Sequence, residues 1–282
     1  MTASTPRTGT EQHPHHPEFL MLGAQKCGTS WLHHQLRQHP GLWLPEVKEL
    51  EFFSYLPHLE GAGIDGYRAE FAQAGQRMAG EASASYFWTG SDTRWCRQPA
   101  GFNPKIPATV QRLLGEPLKL IVCLRDPVER ALSAWAHYVR HGELSATTPF
   151  REAARYGGIV DMGFYGRHLE AWQEYYPAQQ FLILSLERDI ATHPGATLTR
   201  TFRFLGVSPV STAGEMIASP VFPGLRRIRQ PDGSVMIQGV EGTGPYQIGA
   251  KEVAWLEQLY EDDLKLLADL SGIHFQRHSP PA

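Results

Sequence analysis

Cysteine is scarce: Cys27, Cys96 and Cys123 are the only three in 282 residues. An odd and small number leaves no disulfide framework of the kind that staples secreted scaffolds. Long hydrophobic runs are missing too, and none of the apolar stretches approaches the roughly 20 residues that a spanning helix needs. The opening segment MTASTPRTGTEQHPHHP has no apolar core of a secretory signal. Charge of one sign is not in excess either. With 26 Lys and Arg against 29 Asp and Glu, the formal net charge is -3, which excludes a broad electrostatic footprint for nucleic acid or an acidic membrane but leaves room for a local basic pocket. These absences point to a cytoplasmic protein with no membrane span, no nucleic-acid partner and a small partner molecule. Residues 1–17 read as a flexible tail and 18–282 as a single domain. No internal repeat is present, and no motif bears on oligomeric state.

What is present is a set of strand-sized apolar runs, EFLMLGA (18–24), LKLIVCLR (118–125) and QFLILSLE (180–187), each followed by a helical pattern. The helices expected are Thr29 to Gln38, a second over DPVERALSAWAHYVR, and a third from about Gly195 to Leu205. Asp126 is placed as N-cap of the second, with Pro127 at its first position and Glu129 closing a capping box. Alternating strands and helices predict an α/β fold with a doubly wound parallel sheet flanked by helices, whose ligands sit at the C-terminal strand ends. The Pro- and Gly-punctuated stretch from 41 to 117 reads as an acceptor-side insertion with one short strand near Arg77 to Glu81. A C-terminal helix from about Ala250 to Leu270 is expected to pack on the sheet.

Two loops fall at those strand ends. In GAQKCGTS, Gly23 and Gly28 have the spacing of a phosphate-binding loop, but the lysine is Lys26 rather than the residue after the second glycine. The N–H groups from Lys26 through Cys27, Gly28 and Thr29 to Ser30 would form an anion nest at a helix N-terminus, with two hydroxyls and a lysine beside it. The second loop offers Arg125 at a strand end and Ser133 two turns into the next helix, a second anion site. His33 and His34 read as packed or solvated, since no metal-ligand spacing accompanies them. Lys48, Glu49 and Glu51, taken alone, read as a solvated charge run.

The segments GAQKCGTSWL and LIVCLRDPVERALSAWAHY together resemble the sulfotransferases that use 3′-phosphoadenosine 5′-phosphosulfate (PAPS). The stretch DMGFYGRHLEAWQEYYPAQQFLILSLERDIATHPGATLTRTFRFLGV is similar to the heparan sulfate N- and 3-O-sulfotransferase branch and its bacterial relatives. The resemblance implies a P-loop-like fold, Lys26 at the 5′-phosphosulfate, Arg125 and Ser133 at the 3′-phosphate, and Glu49, three residues before the Phe-Phe pair of PEVKELEFFS, as general base. It implies PAPS as co-substrate, 3′-phosphoadenosine 5′-phosphate (PAP) as product, and no metal. VEGTGPYQIG resembles the loop that closes on the nucleotide, giving Gly242, Thr243 and Gly244 as backbone contacts, with Arg226, Arg227 and Arg229 as alternative sources of charge. Two positions depart from the glycan-specific pattern: Glu51 stands where a His is usual, and Ala82 where a Lys is usual. Phe52, Phe53, Tyr86, Phe87 and Trp88 suit either an acceptor pocket or the core. The expected function is sulfuryl transfer to a hydroxyl or amine of a small-molecule, lipid or carbohydrate acceptor. The rivals are a small-molecule kinase with Asp126 holding Mg²⁺, and a nucleotide-binding protein that has lost transfer.

Overall fold

The computed structural model describes residues 16–60, 63–90, 94–96, 98–115, 117–210, 226–238 and 246–275. Its centre is a five-stranded sheet in the order β2-β3-β1-β4-β5, parallel throughout: β1 (Phe19–Gly23), β2 (Leu42–Trp43), β3 (Met78–Ala82), β4 (Lys119–Leu124) and β5 (Phe181–Ser185). The three apolar runs form β1, β4 and β5. All five residues of β1 are buried, as are all of β4 after Lys119. Strands covered on both faces have no polar side to alternate with, which is why the runs are continuous. The strand expected near 77–81 is β3, and it is not peripheral. With β2 it supplies two of the five strands, so part of the stretch read as an insertion belongs to the sheet itself. Close approach explains one glycine here: a Cβ on Gly80 would lie 2.2 Å from the Phe19 ring.

The crossovers are helical. The helix α1 (Thr29–Arg37) follows β1, α2 (Gly63–Ala69) and α3 (Ile106–Leu114) flank β3, and α4 (Pro127–Arg140) follows β4. After a short α5 (Phe150–Ala153), α6 (Tyr165–Gln173) leads into β5, and α7 (Pro194–Leu205) follows it, delayed by a π-helical turn over Leu186–Ala191 that the sequence pattern did not show. Three short strands, β6 (Arg226–Arg229), β7 (Val235–Gln238) and β8 (Tyr246–Ile248), make a separate antiparallel sheet that was likewise not expected.

The C-terminal helix α8 (Ala250–Ser271) has the expected extent, but it packs on α6 and α4 rather than directly on the central sheet. The reason lies in its apolar stripe. Val253, Leu256 and Tyr260 join a second core with Val128, Leu132 and Trp135 of α4 and with Val235, Ile237 and Ile248 of the small sheet, whereas Leu267 reaches the main core. Asp263 of α8 fixes the contact by accepting from the N–H groups of Gly166 and Arg167 at 2.8 and 2.9 Å, which satisfies two orphan donors at the start of α6.

Candidate active site

The loop between β1 and α1 reverses tightly, with Lys26 at φ 67° and Gly28 at φ 90°. A Cβ on Gly28 would stand 2.9 Å from Leu186 Cδ1, so glycine is needed both for the backbone angle and for the space. Among the described residues the N–H groups from Lys26 to Ser30 find no acceptor in the backbone or the side chains, and the Leu32 N–H donates to the Gly28 carbonyl at 3.2 Å. Five donors without an acceptor at the positive end of a helix are an arrangement suited to an anion. The Cys27 side chain turns into the core with Sγ 3.6 Å from the Tyr165 hydroxyl, and burial pushes its thiol up to about 11, so this residue offers the site only its N–H. Lys26 lines the cleft. Burial first, and then the Arg140, Arg125 and Arg227 guanidiniums, lower its ammonium to about 8.

At the end of β4, Arg125 is nearly buried beneath the same cleft. Its Nη2 donates to Glu129 at 3.4 Å, and its Nε lies 3.8 Å from Glu187 with no hydrogen-bond acceptor. Asp126 caps α4 as expected, accepting from Glu129 N–H at 2.9 Å. The reciprocal half of the capping box does not form. The Glu129 carboxylate is drawn away by Arg125 and by Arg227, whose Nε donates to it at 2.7 Å, while Asp126 N–H donates to Glu187 at 3.2 Å. Ser133 is buried and faces the cleft, and His137, Arg140 and His141 continue its face along α4 at i+4, i+7 and i+8. That spacing was readable in the sequence. Of the three C-terminal arginines, Arg227 lines the cleft, while Arg229 pairs with Glu257 at 3.1 Å on the surface.

The opposite wall comes from residues 48–55 lying along the end of β3. Glu49 and Glu51 both have left-handed backbone angles, φ 67° and 52°. Glu49 N–H donates to the Ala82 carbonyl at 2.9 Å, Ala84 N–H donates to Glu49 Oε2 at 2.5 Å, and Lys48 Nζ pairs with Glu49 Oε1. Glu51 sits one step further on, with its N–H bonded to Ser83 Oγ and its Oε1 accepting from Ser85 Oγ at 3.2 Å. The charge run is therefore not a solvated face. Lys48 in particular is buried enough to lower its ammonium to about 8, and no sequence pattern marked it. Ala82 is buried within β3. Among the five aromatics considered, only Trp88 reaches the cleft. Phe52, Phe53, Tyr86 and Phe87 are core and do not line the cleft, whereas Trp88 and Phe102, themselves core residues, and the partly buried Tyr55 do; the sequence did not suggest the last two.

One cleft of about 1040 Å³ brings together Lys26, Gly28, Thr29, Ser30, Glu49, Arg125 and Ser133; Cys27 is not part of its lining. Gly242, Thr243 and Gly244 lie outside the described residues. His33 is buried, with burial lowering it to about 4, and His34 is exposed. Among the described residues no group of three His, Cys, Asp or Glu side chains is arranged to hold a metal, and no helix is long and apolar enough to cross a membrane.

Comparison with known proteins places this cleft in a family. Over 215 residues the chain is 29% identical to human bifunctional heparan sulfate N-deacetylase/N-sulfotransferase 2, covering 68% of the chain and 22% of that protein. It is 26% identical over 258 residues to rat carbohydrate sulfotransferase 15 and 28% identical over 205 residues to mouse heparan sulfate glucosamine 3-O-sulfotransferase 3A1, covering 46% and 47% of those proteins. The chain thus spans less than half the length of these relatives. A crystal structure of a sulfotransferase from Alicyclobacillus acidocaldarius shares the fold with a TM-score of 0.61 at 22% identity, over 92% of this chain and 97% of that one. Residues 16–218 match the model of the sulfotransferase domain, and the chain belongs to that family.

Proposed function

We propose that this chain transfers a sulfuryl group from PAPS to a hydroxyl or amine of a small-molecule, lipid or carbohydrate acceptor, releasing PAP. The observation that carries the reading is the convergence in one cleft of an amide nest with Lys26, a separate arginine and serine site, and a carboxylate on the facing wall. The nest and Lys26 suit the 5′-phosphosulfate. Arg125, whose Nε lacks an acceptor, suits the 3′-phosphate together with Ser133 and Arg227. Trp31, Leu186, Ile190 and Pro194 offer an apolar wall for the base between them.

Transfer breaks the bond between sulfur and the bridging oxygen while the acceptor oxygen or nitrogen bonds to sulfur. Negative charge grows on the departing phosphate, where Lys26 and the loop amides meet it. The acceptor proton goes to Glu49, which Lys48 and Ala84 N–H hold as an anion in a fixed orientation. Relatives named for heparan sulfate act on carbohydrate, and the family supports sulfuryl transfer over the phosphoryl transfer of a kinase. Asp126, the metal ligand in that rival, is occupied as a helix cap. Glu49→Gln preserves size and polarity but cannot accept the proton, so turnover should fall about 10²- to 10⁴-fold while PAP binding is unchanged. Near-full turnover on an aliphatic alcohol would refute this role.

A further inference from the structure

The cleft is divided in charge as well as in shape. The sheet order places the ends of β4 and β5 on one side of the Lys26 loop and the end of β3 on the other. On the β4 side stand the cationic Arg125, Arg227 and Arg140. On the β3 side the charged groups are Glu49, Glu51 and Lys48, two carboxylates to one ammonium, and that ammonium is paired with Glu49. Glu51 makes no ion pair within 4 Å among the described residues, although its charge also acts on the Lys48 ammonium. Its Oε1 is oriented by Ser85 Oγ, and Ser85 is in turn held by Ser54 Oγ at 2.7 Å.

The cleft that Glu51 lines also carries the rings of Tyr55, Trp88 and Phe102, of which Tyr55 lies near enough to feel the Glu51 charge. Trp88 and Phe102 have ring centroids 4.4 Å apart, and Tyr55 meets Phe102 edge-on at 6.2 Å. The indole is locked, because Trp88 Nε1 donates to the fully buried Asp161 at 2.6 Å. Tyr55 and Phe102 are joined by a backbone bridge. A fixed carboxylate attracts a cation by ion pairing and repels an anion, and the ring edges that reach the same cleft offer apolar surface to a ligand's own ring. A polyanionic glycan would meet two carboxylates here and only one lysine, already engaged.

We propose that the β3 side of the cleft accepts a small ring-bearing phenol or alcohol that also carries a protonated amine, with Glu51 binding the amine and Trp88, Phe102 and Tyr55 flanking the ring. The inference rests on the sulfotransferase reading and adds the acceptor class. The reacting hydroxyl lies toward Glu49 and Lys26, and the amine lies one step along the wall, following the order in which Glu49 and Glu51 are anchored to Ala84 and Ser85.

Three phenols of similar size test it on the full chain: tyramine, uncharged 4-ethylphenol and anionic 4-hydroxyphenylacetate, together with a heparin oligosaccharide. PAP binding is measured first by calorimetry, and its failure would count against the sulfotransferase reading itself. With the protein saturated by PAP, the expected order of affinity is tyramine, then 4-ethylphenol, then 4-hydroxyphenylacetate, with at least about tenfold between first and last. Glu51→Gln should lower the tyramine to 4-ethylphenol affinity ratio about tenfold, as a charge-assisted contact becomes a neutral one, and Glu51→Lys should favour the carboxylate. If PAP binds, the inference is overturned by equal affinity for the three phenols, by binding of none of them, by tighter binding of the oligosaccharide, or by a ratio that Glu51→Gln leaves unchanged.

Discussion

Replacing Lys26 by methionine should abolish a proton uptake that accompanies PAP binding. In the free protein the Lys26 ammonium is lowered from 10.5 to about 8, by burial first and then by the Arg140, Arg125 and Arg227 guanidiniums. A phosphate dianion seated in the amide nest reverses the local field and returns the group to its ordinary range or above. Between those two values the complex binds a proton that the free protein lacks. The contribution of Lys26 to the uptake should be about 0.1 proton at pH 7, about 0.5 at pH 8 and about 0.9 at pH 9, and the dissociation constant should rise about fivefold between pH 8 and 9. The two phosphates of PAP, with second ionisations near 6, release up to about 0.2 proton on binding at pH 7 and offset the uptake there, so pH 8 and 9, where that release is negligible, are the decisive points. Calorimetry in buffers of different ionisation enthalpy measures the uptake directly. Lys48, also lowered to about 8, is paired with Glu49 on the other wall, so Lys48→Met should leave most of the uptake in place. An uptake near zero at pH 9 in the wild type, or one that survives in Lys26→Met, would refute the placement of Lys26 at the phosphosulfate.

Two other expectations concern the second phosphate and the core. Arg125→Ala should weaken PAP by about 1.5 to 3 kcal/mol, the range of a charge-assisted hydrogen bond, and should scarcely change AMP, which lacks the 3′-phosphate; equal losses for the two nucleotides by calorimetry would remove that assignment. Glu81 of β3 is fully buried, accepting from Tyr67 and Tyr86 hydroxyls at 2.7 Å each and from Ser83 at 3.3 Å, and burial raises its carboxyl to about 7. The native state therefore holds more protons than the unfolded state between about pH 4.5 and 7, and this group makes stability decline as pH rises through that window. Urea unfolding at several pH values should show the decline reduced in Glu81→Gln, and an identical pH profile would refute the argument.

The sequence by itself determined β1, β4 and β5, the two strand-end loops and the helices after them, because each is a local matter. A run buried on both faces must be continuously apolar, a loop that cradles an anion needs glycines and free N–H groups within a few residues, and a helix start announces itself through Asp126 and Pro127. The face carrying Ser133, His137, Arg140 and His141 was present as a period, although its partner was not. Tertiary structure alone decided the rest. Whether Glu129 closes a capping box or serves Arg125 and Arg227 depends on an arginine almost a hundred residues away. Lys48 and Glu51 look like solvated charges until the end of β3 is laid beside them, since an ionisable side chain takes its character from the burial and the neighbours that other segments provide. The choice of Trp88, Tyr55 and Phe102 over Phe52, Phe53, Tyr86 and Phe87 as cleft lining has the same origin. All seven are large rings suited to burial, and only the packing of the chain around them fixes which ones also reach the cleft.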